Sequence, residues 1–302
     1  MLTIADILAA PKFERITTMT PLGIRFWDAT RDAQITGGLR VTARPRGVPE
    51  FPETSAFITA SGIYAFAGLP GLQAFERPKV GDPDPDFAAP IASGSFWIDV
   101  TDPAGHFIDV TFTATAPAKG LFLAGDPQPT GQPPPNTSPP GFYLFSSPSR
   151  QPGAGIAAIR ADLIDNATKK PAAYAVVMVK SGTNTQMIGI ADAAGRVAVM
   201  FPFPVVSRGT QSGVVPPPQW PLNVSVQYAP TNLAMVPAAA VSPTTPLGSP
   251  RPELSSVLNQ AAGVIFAATN AASVATLPVT LTGYSELILK SQGQSELFIQ
   301  SA

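Results

Sequence analysis

Proline constrains this chain more than any other residue, because of where its 35 copies fall. They gather at 82–90, 126–140, 202–221 and 242–252. Proline lacks a backbone donor and is excluded from helix interiors and central strands. Between the clusters lie apolar segments rich in β-branched residues. That alternation predicts an all-β chain with long loops.

A length of 302 residues suggests about two or three domains, long enough to bury real cores. Residues 15–118 read as a first β-sandwich, with alternating segments at 23–27, 39–43, 60–66, 96–100 and 106–114. Asp102-Pro103-Ala104-Gly105 makes a hairpin-type turn before the last of these. Residues 119–140 read as a Pro-rich linker or long loop, partly in polyproline conformation. A second sandwich spans 141–228, its best strands at 156–164, 172–180, 186–191 and 196–201, with 223–228 as a candidate last strand. The remaining region, 229–302, carries one helix over 252–268, with Leu254, Val257, Leu258 and Ala261 at helical spacing behind Pro252. Residues 1–14 form an arm or a short helix capped by Thr3 and ended by Pro11.

Two internal repeats stand out. Ile24-Arg25-Phe26-Trp27-Asp28-Ala29-Thr30, the strand at 39–43, and Ser61-Gly62-Ile63-Tyr64-Ala65-Phe66 follow one order of parts. The stretch from Ile159 through Asp165 to Thr168, the strand at 175–179, and the turn and strand at 192–201 follow the same order. A duplicated sandwich is the expectation. The second repeat is shorter: residues 283–291 and 293–301 share Gly, Ser, Glu, Leu and a final Ser. It predicts a terminal β-hairpin over 283–301. That hairpin either packs on the C-terminal region or adds to a partner's sheet edge through Ser285, Leu287, Leu289, Ser295, Leu297 and Ile299.

Ala60-Ser61-Gly62-Ile63-Tyr64-Ala65-Phe66-Ala67-Gly68-Leu69-Pro70-Gly71 resembles the signature of carboxypeptidase regulatory-like domains, where a Gly turn precedes Tyr-x-Phe and Gly-Leu-Pro. Residues 192–201 resemble the same turn and strand without the Gly-Leu-Pro step. The resemblance covers about half the chain and implies two tandem immunoglobulin- or transthyretin-like sandwiches that are themselves non-catalytic. Over the whole chain, the segment from Thr20 to Asp28, the Gly-Leu-Pro-Gly turn and the segment from Phe142 to Arg150 look like proteins encoded with phage-tail-like contractile injection systems. That likeness implies an accessory or baseplate-type component.

Composition narrows the partners. Charged residues make up 13%, against about 25% in ordinary domains. So sparse a surface charge suits polar, Pro-rich loops or burial against other subunits, including copies of itself. The net charge of −1 gives no electrostatic case for nucleic acid or an anionic membrane. The absence of cysteine excludes disulfides and thiolate metal sites. The N-terminus lacks a signal-peptide pattern, and no apolar run reaches the ~18 residues of a membrane span. Cytoplasmic assembly into a particle is the expectation.

Chemistry is hard to find. His106 is the sole histidine, so a Ser-His-Asp triad would have to use it, and no Gly-x-Ser-x-Gly elbow supplies its serine. Zinc motifs needing two histidines are excluded. Asp82-Pro83-Asp84-Pro85-Asp86 spaces three carboxylates as calcium loops do, but lacks the loop glycine and final glutamate; a solvated acidic loop is expected. Gly153-Ala154-Gly155 precedes a strand rather than following one, unlike a dinucleotide motif. Glycosylation-type triplets at Asn136, Asn166 and Asn223 matter only in a secreted eukaryotic protein. Two carboxylates converging in space stay open. Trp27, Trp97 and Trp220 are expected to pack in core or loops. The expectation is a structural protein with no catalytic residues, cofactor or metal; the alternative is a surface- or carbohydrate-binding module with Trp220 or Tyr143 on its platform.

Overall fold

The computed structural model describes residues 19–47, 52–76, 93–118, 121–122, 141–182, 185–203, 218–237, 250–268, 272–283 and 285–302. The expected N-terminal arm, the run from Asp82 to Asp86 and nearly all of the expected 119–140 linker lie outside them.

The chain is all-β, as its proline pattern implies. The first half contributes β1 (Leu22–Ile24), β2 (Phe26–Asp28), β3 (Ala33–Ile35), β4 (Arg40–Pro45), β5 (Thr54–Ser55), β6 (Phe57–Ile58), β7 (Tyr64–Phe66), β8 (Gly94–Thr101), β9 (Val110–Ala116) and β10 (Phe142–Leu144), with a helical turn α1 (Gln73–Glu76). The second half contributes β11 (Ile156–Asp165), β12 (Val176–Ser181), β13 (Thr185–Ile190), β14 (Arg196–Pro202), β15 (Gln219–Gln227), β16 (Met235–Val236), β17 (Arg251–Pro252), α2 (Leu254–Leu258), β18 (Gly263–Phe266), β19 (Ser273–Val274), β20 (Leu277–Thr282), β21 (Leu287–Ile288) and β22 (Leu297–Ser301).

One plan occurs twice. A four-stranded sheet has the order β5-β4-β8-β9 in the first half and β13-β12-β15-β20 in the second. Facing it, β1 pairs antiparallel with β7, as β11 does with β14. The Asp28 and Asp165 turns also match. Asp28 sits opposite Ala33 across its hairpin, and the Asp165 N–H donates to the Lys170 carbonyl at 2.9 Å. Each sandwich then closes with strands parallel to its first: β10 runs beside β2, with Phe142 opposite Phe26, and β22 runs beside β11, with Leu297 opposite Leu163.

Alternation explains the layers. In β8, Phe96, Ile98 and Val100 turn inward, and in β15 Leu222, Val224 and Val226 do. Aromatic rings dominate the first core, where Phe112 stacks on Phe142 at 4.2 Å and Phe26 meets Tyr64 edge-on at 5.3 Å. Aliphatic side chains fill the second, among them Ile159, Leu163, Val199 and Ile265. Pro221 is tolerated inside β15 because pairing with β12 begins one residue later, at Leu222 opposite Ser181.

Four expectations need correction. The helix expected over 252–268 is confined to α2; from Gly263 the pattern Val264-Ile265-Phe266 forms β18, which pairs with β22. The terminal hairpin does not form, because β21 and β22 each pair with β11 in parallel rather than with each other. The boundary at 141 shifts, since β10 belongs to the first sandwich, and Leu121 also bridges Gly23 there. Finally, residues 229–302 are not a separate region. β18, β20, β21 and β22 complete the second sandwich, while α2 puts Leu254, Val257 and Leu258 into one hydrophobic cluster with the first core and with Val176 and Ile190.

Candidate functional site

The six residues expected to meet a partner are split by the structure. Leu289, Leu297 and Ile299 are buried within the second core. Burying such a side chain contributes about 1.5–3 kcal/mol, so these residues are committed to this chain. Leu287 is half-buried against the same core. Ser285 and Ser295 are exposed, and the Ser285 hydroxyl donates to the Thr282 carbonyl at 2.8 Å. The correction has a simple cause: the two repeats do add to a sheet, but to β11 of their own chain. Leu287 lies opposite Ile159 and Leu297 opposite Leu163, two inward positions four residues apart.

Exposed apolar surface lies elsewhere. On β6, Phe57 is 47% exposed and Ile58 45%. Among the described residues β6 pairs only with β7, and its outer edge has no partner strand there. Ile288 on β21 is 61% exposed, and Met235 on β16 is also exposed. An open edge with large apolar side chains is what a strand-adding partner requires. The sequence carried the signal in Ala56-Phe57-Ile58, three apolar residues in a row that alternation cannot hide on one face.

Trp27 and Trp97 face outward rather than into the first core. Phe26 and Phe96 take the inner positions beside Trp27 and Trp97. Trp27 lies 6.4 Å from the Tyr143 ring, and the Tyr143 hydroxyl donates to Asp32 at 3.0 Å. The Arg46 guanidinium sits 4.8 Å over Trp97. Trp220 packs against Phe203 at 5.4 Å, beside the second core. These rings are half-buried and engaged within the chain.

His106 is exposed, 3.6 Å from Asp102. The Asp102 carboxylate is occupied as a turn cap by the N–H groups of Ala104, His106 and Phe107. Among the described residues no group of three or more His, Cys, Asp or Glu is placed to hold a metal ion. Asn166 and Asn223 lie in the Asp165 turn and in β15. Among the described residues no helix is long and apolar enough to cross a membrane.

A buried ion pair sits where the sandwiches join. The Arg150 guanidinium donates to both carboxylate oxygens of Asp28, at 2.6 and 3.1 Å, and to the Ser146 hydroxyl at 3.0 Å. Both charged side chains are 8% exposed. Burial alone would raise the Asp28 pKa, but hydrogen bonds from Arg150 and the Thr30 N–H, with the charges of Arg150 and Arg31, hold it below the usual value. Phe107 lies against the same guanidinium at 5.0 Å. This cluster was not legible beforehand, because Asp28 and Arg150 are 122 residues apart.

No family model matches the chain, and no curated protein does. One solved structure, the Bacillus anthracis TIE protein, is similar over 87% of this chain and 44% of that one, at 8% identity and a TM-score of 0.23. This chain therefore spans under half of that protein's length, and so low a score carries no argument about fold or function.

Proposed function

We propose that this chain is a non-catalytic structural or assembly component of a multi-protein particle, of the phage-tail-like contractile injection kind, acting through protein contacts of its sandwiches. The observation that carries the proposal is the β6 edge, unpaired among the described residues, with Phe57 and Ile58 exposed. Large apolar side chains on an unpaired edge are an aggregation liability unless a partner covers them. The low charge and the sequence likeness to injection-system proteins support the same reading. The partner engages β6 as an added strand, with its apolar side chains against Phe57 and Ile58.

The test is the double variant Phe57→Asp with Ile58→Asp, expressed with the other particle genes. Incorporation, measured by co-sedimentation with assembled particles, falls at least about tenfold, as expected when a buried contact becomes charged. The melting temperature of the isolated protein stays close to that of the parent. Full incorporation of the double variant would count decisively against the β6 edge.

A further inference from the structure

Arg160 is the connection between the C-terminal strands and the joint of the two sandwiches. It lies on β11, and all three of its guanidinium nitrogens are used. Nε donates to the Glu286 carboxylate at 2.7 Å. Nη2 donates to the Arg150 carbonyl at 2.6 Å, and Nη1 donates to the Pro148 carbonyl. The backbone of the same residue receives the Leu289 N–H at 2.8 Å. Arg160 thus touches the β21 segment twice and the 146–150 segment twice.

The 146–150 segment is one place where the sandwiches are fastened. Its Ser146 hydroxyl shares a 2.9 Å hydrogen bond with Thr30, and its Arg150 carries the buried pair with Asp28. The Ser147 N–H reaches the His106 carbonyl at 2.9 Å. Because guanidinium is planar and rigid, the carboxylate that fixes Nε also aims Nη1 and Nη2. Arg160 is an addition to the repeated plan. The matching position in the first sandwich is Gly23: Gly23 bridges Leu121 in parallel, as Arg160 pairs with Ile288.

We propose that the C-terminal segment is a latch. When β21 docks on β11, Glu286 orients Arg160, and Arg160 holds the 146–150 segment in the conformation that buries Arg150 against Asp28. Seating of the C-terminal strands and closure of the joint are therefore coupled, although Glu286 touches neither Arg150 nor Asp28. Arg160 is a positioning residue in this device.

Trypsin reads the coupling in the native full-length protein, because cleavage after Arg150 requires its buried side chain to be released. Glu286→Ala removes an exposed contact and leaves the fold intact. Cleavage after Arg150 is expected to rise about threefold, the range of a partly exposed ion pair, with other sites cut at the parental rate. Arg160→Gln raises it by more than about tenfold, and Arg160→Lys does not restore protection because an ammonium cannot span three acceptors. Amide exchange at Ser147 and Arg150 follows the same order. Unchanged cleavage and exchange in Glu286→Ala would overturn the latch. So would an equal rise at every tryptic site, which marks general destabilisation.

Discussion

Asp32 and Lys169 adopt the same left-handed backbone conformation, with φ of 50° and 55°, each four residues after the aspartate that ends its strand. The N–H of each returns to the carbonyl of that aspartate, Asp28 or Asp165, at 2.9 and 2.8 Å. The two turns are thus built alike, yet their aspartates are used differently. Asp165 caps its own turn through the Ala167 N–H and the Thr168 hydroxyl. Asp28 also neutralises Arg150.

That difference predicts unequal costs. Asp165→Ala loses local hydrogen bonds and should destabilise the protein by about 1–2 kcal/mol. Asp28→Ala strands a buried guanidinium and should cost about 3–5 kcal/mol. Urea denaturation of the two variants measures both; equal costs would show that Arg150 finds another partner.

Acid should expose the same residue. The Asp28 pKa is lowered in the folded protein, so its contribution is fully present above the unfolded value of about 3.9. It is lost as pH falls through the depressed folded value. Melting temperatures between pH 6 and pH 2 should therefore drop less steeply in Asp28→Asn than in the parent.

Two glycines of nearly equal φ should respond differently to a methyl group. Gly195 and Gly293 have φ of 77° and 79°. A Cβ at Gly195 would lie 2.5 Å from the Leu163 carbonyl oxygen, whereas one at Gly293 meets nothing within 4 Å. Gly293→Ala should cost about 1–2 kcal/mol, the conformational term alone. Gly195→Ala should cost well above that, as read by equilibrium denaturation.

The C-terminal strands should behave as core. Leu297 is fully buried, and Leu297→Ala should cost about 2–5 kcal/mol. Ile288→Ala, in solvent on the neighbouring strand, should change stability by less than about 0.5 kcal/mol. Chemical denaturation separates the two outcomes. A neutral Leu297→Ala would return that residue to the role of partner contact.

Much of the fold was legible because burial imposes a period. Alternation at 156–164 and 96–100 marks β11 and β8 closely, and the Asp-Ala-Thr and Gly-turn repeats foretell the twofold plan. What escaped is pairing between distant segments. Periodicity does not tell Leu297 which strand it joins, so a tight turn at Gly293 looked like a hairpin when both flanking strands run along β11. Leu254, Val257 and Leu258 have helical spacing for little more than one turn, and α2 ends at Asn259, whose N–H returns to the Ser255 carbonyl. The candidate surface was missed for a related reason: the exposure of Phe57 depends on what β6 lacks beside it, which no local pattern records.

The closing strands also set a timetable for synthesis. β10 joins a strand laid down more than a hundred residues earlier, so the first sandwich stays incomplete until Leu144 has left the ribosome. The second waits for Ile299 to reach Asp165. At ordinary elongation rates roughly ten to thirty seconds separate Leu144 from the strand that finishes the second sandwich, and α2 reaches the first core within that interval. Once made, β11 keeps one edge uncovered until β21 and β22 arrive to pair with it.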